Sequence, residues 1–148
     1  MQTVTFSVFR GEPDQDGDPF GKMVDYTIDL DEGMVVLDAI HAIQAEFAPD
    51  LACRWNCKAG KCGSCSAEVN GKSRLMCMTR MDDILDETPE GESVVIRPMQ
   101  TFPLVRDLVS DTSWAYETDR RIEPISGPGE VDWEYSVSYT HLTLPTNG

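Results

Sequence analysis

The chain has 148 residues, 41% of them hydrophobic and 26% charged, which suits a soluble domain with a real core and leaves room for the start of a second. Its formal net charge of −14 argues against binding nucleic acid or an anionic membrane through general electrostatics. The amino terminus lacks a basic segment followed by an apolar run, and no stretch reaches the roughly 18 consecutive apolar residues of a membrane span. No secretory signal and no span is expected, so membrane attachment would come through a partner.

Thr3 to Phe9 alternates, with Val4, Phe6 and Val8 on one face, and predicts a half-buried strand. Gly11 to Gly21 carries Pro13, Gly17 and Pro19, which is turn chemistry. Its acidic run, Asp14 to Asp18, has the look of a calcium loop, but Pro19 stands where an EF-hand requires glycine, so an acidic hairpin turn is expected. Lys22 to Leu30 alternates again, with Val24, Tyr26, Ile28 and Leu30 on one face, and should pair with the first strand. Val35 to Phe47 changes period: Val36, Ile40, Ile43 and Phe47 fall at helical spacing, with Leu37 beside them. Asp38 lies in the first turn of that helix, His41 should be exposed, and Pro49 should stop it.

Further along, Ser66–Val69 and Ser73–Met78 flank Asn70-Gly71, the strongest short hairpin signal in the chain. Met81 to Glu92 reads as an acidic connector, and Ser93 to Arg97 as a last strand before Pro98. The order strand–strand–helix–loop–strand–strand–strand describes an α+β fold, a small mixed sheet with one helix packed across it. Beyond Thr101 a short helix over Phe102–Val109, another over Trp114–Arg121, and a linker over Ile122–Glu130 are expected.

All five cysteines lie between Cys53 and Cys77, whereas a disulfide framework would spread its bridges along the chain. Cys57, Cys62, Cys65 and Cys77 form the spacing C-x4-C-x2-C-x11-C, the plant-type ligand pattern for a 2Fe-2S cluster. Thiolates are the iron ligands, and four complete two tetrahedral irons bridged by two sulfides. The Asn70-Gly71 hairpin should return Cys77 to the loop that carries the other three. Gly60 and Gly63 can adopt backbone angles closed to other residues, bringing amide N–H groups near the sulfurs. Ser64 and Ser66 are candidate hydroxyl donors.

From Arg54 to Arg80 six basic residues (Arg54, Lys58, Lys61, Lys72, Arg74, Arg80) face one acid, Glu68, a net +5 in an acidic chain. Such charge would stabilise an anionic cluster, although solvated loop lysines are the plainer reading. Trp55 is expected to be packing rather than an electron route, and Cys53 a small, partly buried residue. Competing readings fare less well. A structural zinc usually has paired C-x2-4-C knuckles, and here one knuckle would share a cysteine with the other. A Rieske centre needs two histidine ligands, and only His41 is within plausible reach. Dithiol exchange at Cys62-Gly63-Ser64-Cys65 leaves Cys57 and Cys77 without a role.

Arg54-Trp55-Asn56-Cys57-Lys58-Ala59-Gly60-Lys61-Cys62-Gly63-Ser64-Cys65-Ser66-Ala67-Glu68-Val69-Asn70-Gly71, closing with Leu75-Met76-Cys77, closely resembles the iron-sulfur subunit of succinate dehydrogenase/fumarate reductase, of a bacterial, actinobacterial-like branch. Thr101 to Val109 also resembles the segment that leaves the ferredoxin domain in that family. The resemblance implies a β-grasp 2Fe-2S ferredoxin-like domain over residues 1–100, with Cys57, Cys62, Cys65 and Cys77 as cluster ligands and no substrate chemistry on this chain. It implies an oxidoreductase role as one subunit of a respiratory complex. It further implies that the 2Fe-2S cluster takes single electrons from the FAD of a flavoprotein partner and passes them to a 4Fe-4S and then a 3Fe-4S cluster in a C-terminal helical domain, and so to quinone. Membrane anchor subunits would dock through that domain, placing the protein on the cytoplasmic, inner face of the cell membrane, peripherally.

The ligand runs of the second domain are not in this sequence. Residues 101–135 are read as a connector towards it, and 136–148 as a non-native read-through tail. A free-standing 2Fe-2S ferredoxin carrier and a zinc-bound interaction module stay open as alternatives.

Overall fold

A computed structural model describes residues 2–122. The chain divides into two compact units, the first ending at Thr112 and the second beginning at Ser113.

The alternation at the amino terminus produces the longest strands. β1 (Gln2–Pro13) and β2 (Pro19–Leu30) pair antiparallel in continuous register from Gln2↔Leu30 to Pro13↔Pro19. Val4, Phe6 and Val8 are buried as their period demands, with Ile28 and Leu30 beside them. Towards the start of β1 the opposite face is polar, and its cross-strand partners bond: Thr3 to Asp29 and Thr5 to Thr27. At the hairpin tip the Asp14 carboxylate accepts from the N–H groups of Asp16 and Asp18. That acid is used to close a turn.

The apolar stripe at helical spacing folds as α1 (Val36–Glu46), burying Val36, Leu37, Ala39, Ile40 and Ile43 in one cluster with the inner faces of β1 and β2. A fully buried side chain of this size contributes roughly 1.5–3 kcal/mol, so this stripe fixes the helix on the sheet. Phe47 does not join it. It lies one residue past the helix, 53% exposed, with its ring 6.2 Å from that of Tyr26. The start of α1 has no capping side chain at Val35. Its amides are satisfied instead by a neighbouring segment, Val36 N–H bonding Thr79 O and Leu37 N–H bonding Met76 O. Asp38 in turn accepts from Val35 N–H.

β3 (Ser66–Val69) and β4 (Lys72–Leu75) form the expected hairpin, with Asn70 and Gly71 both at positive φ (50° and 81°) as a tight primed turn requires. β4 stops at Leu75, earlier than the expected Met78, because Leu75 O takes Met78 N–H and the Thr79 hydroxyl in a turn. The supposed acidic connector is partly a helix, α2 (Met81–Glu87). Met81, Ile84 and Leu85 fall on one face against the core, and Asp82 and Asp83 in the first turn suit the positive end of the macrodipole.

β5 (Val94–Arg97) runs parallel to β1, Phe6 opposite Val94, and antiparallel to β3. The sheet order is β2-β1-β5-β3-β4. This mixed sheet with α1 across it is a β-grasp ferredoxin-like fold, as the resemblance implied.

The helix expected over 102–109 is instead a small hairpin, β6 (Leu104–Arg106) and β7 (Val109–Ser110). Asp107 between them has φ 47°, a left-handed conformation that reverses the chain and that no helix contains. In the second unit α3 (Ser113–Arg121) forms where expected, with Arg120 and Arg121 in its last turn. The linker over 122–130, apart from Ile122, and the 136–148 tail lie outside the described residues.

Candidate iron-sulfur site

The segment from Leu51 to Ser64 has no regular structure because it has no periodic apolar pattern and is dense in residues of unusual backbone. Lys58, Gly60 and Gly63 all have positive φ (53°, 70° and 72°). The chain therefore curls, and its amides turn inward: the N–H groups of Ala59, Lys61 and Cys62 each reach Cys57 Sγ at 3.3 Å. Successive N–H groups in such a curl make a concavity that favours negative charge. The Cys57 thiol accordingly lies below its ordinary value, chiefly through the Ala59 N–H.

Cys62 sits beside it, its sulfur 3.0 Å from Ser64 Oγ. Its thiol is drawn down to about 6, first by the Ser64 hydroxyl. Ser64 thus takes the donor role expected of it. Ser66 does not, because its hydroxyl bonds Gly63 O at 2.8 Å.

The other two cysteines come from the edge of the β3–β4 hairpin. Cys65 immediately precedes β3 and Cys77 lies two residues past β4, both buried. Met76 N–H bonds Cys65 O, so the two cysteines are neighbours across the end of the hairpin. Burial raises the Cys77 thiol, and its contact with Cys65 raises it further, while Gly60 N–H opposes both. Because α1 takes its first hydrogen bonds from Met76 and Thr79, the Cys77 turn is held to the core on one side and faces the loop on the other.

All four sequence-predicted residues are therefore brought near one another, Cys57 beside Cys62, Cys65 beside Cys77, and Cys77 within electrostatic reach of Cys57. A two-iron cluster needs four thiolates, two at each iron, and four cysteines are at hand here.

Cys53 stays apart. It packs partly buried against the core, and burial pushes its thiol up to about 12. The local basic residues are largely engaged elsewhere. Arg54 bonds Ser110 O, Arg74 pairs with Glu87, Arg80 lies 3.6 Å from Asp82, and Lys58 Nζ sits 4.4 Å over the Trp55 ring. Trp55 is half exposed and meets His41 edge-on at 5.1 Å. His41 is not the exposed residue expected, since its Nε2 is buried. Burial and Lys58 lower its pKa.

Asp107 was invisible in the sequence, where it lay within an expected helix. Its residue is 2% exposed. Its carboxylate accepts from Gly11 N–H and from Ala52 N–H, each at 2.9 Å, with Arg10 Nε at 3.4 Å. The one signal was an acid set directly before an apolar pair in Asp107-Leu108-Val109.

The family model of a 2Fe-2S iron-sulfur cluster binding domain matches residues 5–117. Among curated proteins the chain is similar to a succinate dehydrogenase iron-sulfur subunit of Coxiella burnetii, 35% identical over 123 residues, covering 82% of this chain and 48% of that protein. It is similar to the same subunit of Paracoccus denitrificans, 34% identical over 137 residues, covering 89% and 50%. Among solved structures it is similar to a chain of the Mycobacterium smegmatis Sdh1 complex in the apo form, with TM-score 0.73 and 48% identity, covering 89% and 52%. The chain spans about half the length of the curated relatives it matches.

Proposed function

This chain belongs to the family of 2Fe-2S iron-sulfur cluster binding domains, and from that premise we propose that it is the electron-transfer subunit of a succinate dehydrogenase or fumarate reductase, with Cys57, Cys62, Cys65 and Cys77 holding the cluster. The observation that supports the ligand set is that the curled loop bearing Cys57 and Cys62 and the hairpin edge bearing Cys65 and Cys77 meet, with Cys57 beside Cys62 and Cys65 beside Cys77. The names of the relatives support the complex.

When bound, a 2Fe-2S cluster supplies one-electron acceptance and release. The residues of this chain hold it and set its surroundings. The amides of Ala59, Lys61 and Cys62 and the Ser64 hydroxyl stabilise negative charge on the Cys57 and Cys62 sulfurs. Cys65 and Cys77 anchor the opposite side in the apolar core. The chain itself carries no substrate chemistry in this reading.

In the intact complex the FAD of a flavoprotein subunit would deliver electrons. A 4Fe-4S and a 3Fe-4S cluster, in a C-terminal helical domain reached through a connector over 101–135, would carry them towards quinone. Residues 1–100 are then the ferredoxin domain, and 136–148 a non-native tail. Among the described residues no helix is long and apolar enough to cross a membrane. The proposal assigns attachment at the inner face of the cell membrane to anchor subunits.

Iron, acid-labile sulfide and zinc are measured on the purified full chain together with its visible absorption. About two irons and two sulfides per chain are expected, lost in Cys77→Ser and retained in Cys53→Ser. Colourless protein holding one zinc would overturn the proposal, and loss of colour in Cys53→Ser would overturn the ligand set.

A further inference from the structure

The cysteine loop has two attachments, and only one of them belongs to the central sheet. On the outgoing side β3, β4 and the first turn of α1 hold Cys65 and Cys77. On the incoming side, residues Leu51 to Arg54 have no strand partner in that sheet. Leu51 is tied to the end of α1, its N–H donating to Ala48 O and its carbonyl accepting from Gln44, while Ala52 and Arg54 bond the small β6–β7 hairpin. Ala52 N–H donates to the Asp107 carboxylate, Leu108 N–H donates to Ala52 O, and Arg54 donates to Ser110 O.

The same Asp107 grips β1 in the same two-bond manner. Its own N–H donates to Gly11 O, and its carboxylate accepts from Gly11 N–H. One buried acid therefore bolts the incoming arm of the loop to β1. Arg10 Nε at 3.4 Å and Arg106 Nε at 3.7 Å balance its charge, and Arg10 also reaches Asp50 at 2.7 Å.

We propose that Asp107 is a positioning residue for the cluster: by fixing Ala52 against Gly11 it sets where Cys57 and Cys62 stand relative to Cys65 and Cys77. The inference rests on the ligand reading above. Since β1 and the Cys77 turn both belong to the core, and Asp107 ties Ala52 directly to β1, the spacing between the thiols on the two sides depends in part on this carboxylate.

Asp107→Asn isolates the effect. Asparagine tolerates the left-handed backbone at this position, so the turn survives. Its amide nitrogen is disfavoured on the side nearer Arg10, so it faces Ala52, and a donor then meets a donor.

The full chain carrying reconstituted cluster is examined by visible circular dichroism, by iron release to a chelator, and by thermal unfolding of the cluster-free form. In Asp107→Asn the cluster's dichroism is expected to change shape and iron to be released about tenfold faster, the size of one lost hydrogen bond at a buried carboxylate. A purely structural role would lower the unfolding temperature and leave the cluster spectrum and release rate as in the wild type, and that result overturns the proposal. Arg54→Ala, at an exposed residue, should speed release in the same direction by a smaller factor, and carries the test if Asp107→Asn fails to fold; wild-type release there would then overturn it. A wild-type chain that takes up no iron refutes the ligand reading itself, which separates the two failures.

Discussion

Replacing Gly63 by alanine tests whether the curl of the cysteine loop is needed to hold a cluster. Gly63 has φ 72°, and a Cβ built there meets nothing within 4 Å, so the cost is backbone strain alone. Forcing a residue with a Cβ into the left-handed region costs roughly 1–2 kcal/mol. A cluster-free loop can relax that strain and a cluster-bound one cannot, so retention should weaken by a factor of about 5–30. Gly60→Ala adds a contact of 2.8 Å to Met78 Cγ, but Met78 is 59% exposed and can swing aside. It should therefore behave like Gly63→Ala, only somewhat worse. Gly63→Asn should lose less than either alanine variant, because asparagine tolerates this backbone. The assay is iron release to excess chelator, followed by visible absorption. Release from Gly63→Ala indistinguishable from wild type would refute the argument that this conformation is required in the bound state.

Ile84 is fully buried on α2, so Ile84→Ala should cost about 2–5 kcal/mol, read as a fall in thermal midpoint; an unchanged midpoint would contradict the docking of α2 on the core. Arg74 holds the Glu87 carboxyl below its ordinary value. A depressed acid stabilises above its unfolded pKa, and that contribution is lost as pH falls through the folded value. The stability gap between wild type and Glu87→Gln, measured by denaturant titration, should therefore be present at neutral pH and close in acid, and should remain small because the pair is exposed. A gap that widens in acid would reverse the sign.

What could be read in advance was whatever carried a period or a spacing. Val4, Phe6 and Val8, the stripe on α1 and Asn70-Gly71 each state their structure within a few residues. The thiol spacing needed only the hairpin to bring Cys77 home. The elements that hid did so for identifiable reasons. In α2 the acids at 82, 83, 86 and 87 outnumber the apolar positions, and three residues meeting a core do not show as a stripe. Between β6 and β7 the reversal depends on a left-handed Asp107 held from outside by Gly11 and Ala52, which nothing local announces. Likewise His41 lies on the polar side of a helix by spacing, and only Trp55, arriving from the loop, covers it. The amide curl around Cys57 is similarly a property of three backbone angles rather than of composition.

The bond from Gly11 to Asp107 spans 96 residues, and Phe6 on β1 waits nearly as long for Val94. Contacts so distant in sequence form late, since loop closure must precede any gain from them. On a ribosome adding about 5–20 residues per second, Asp107 follows Cys77 by a time on the order of seconds. Throughout that interval all five cysteines have left the synthesis site while the turn that braces their loop does not yet exist. The incoming arm of the loop then lacks its bonds to β1 and to the β6–β7 hairpin, so a chain ended before Asp107 should hold a cluster less firmly than the full chain.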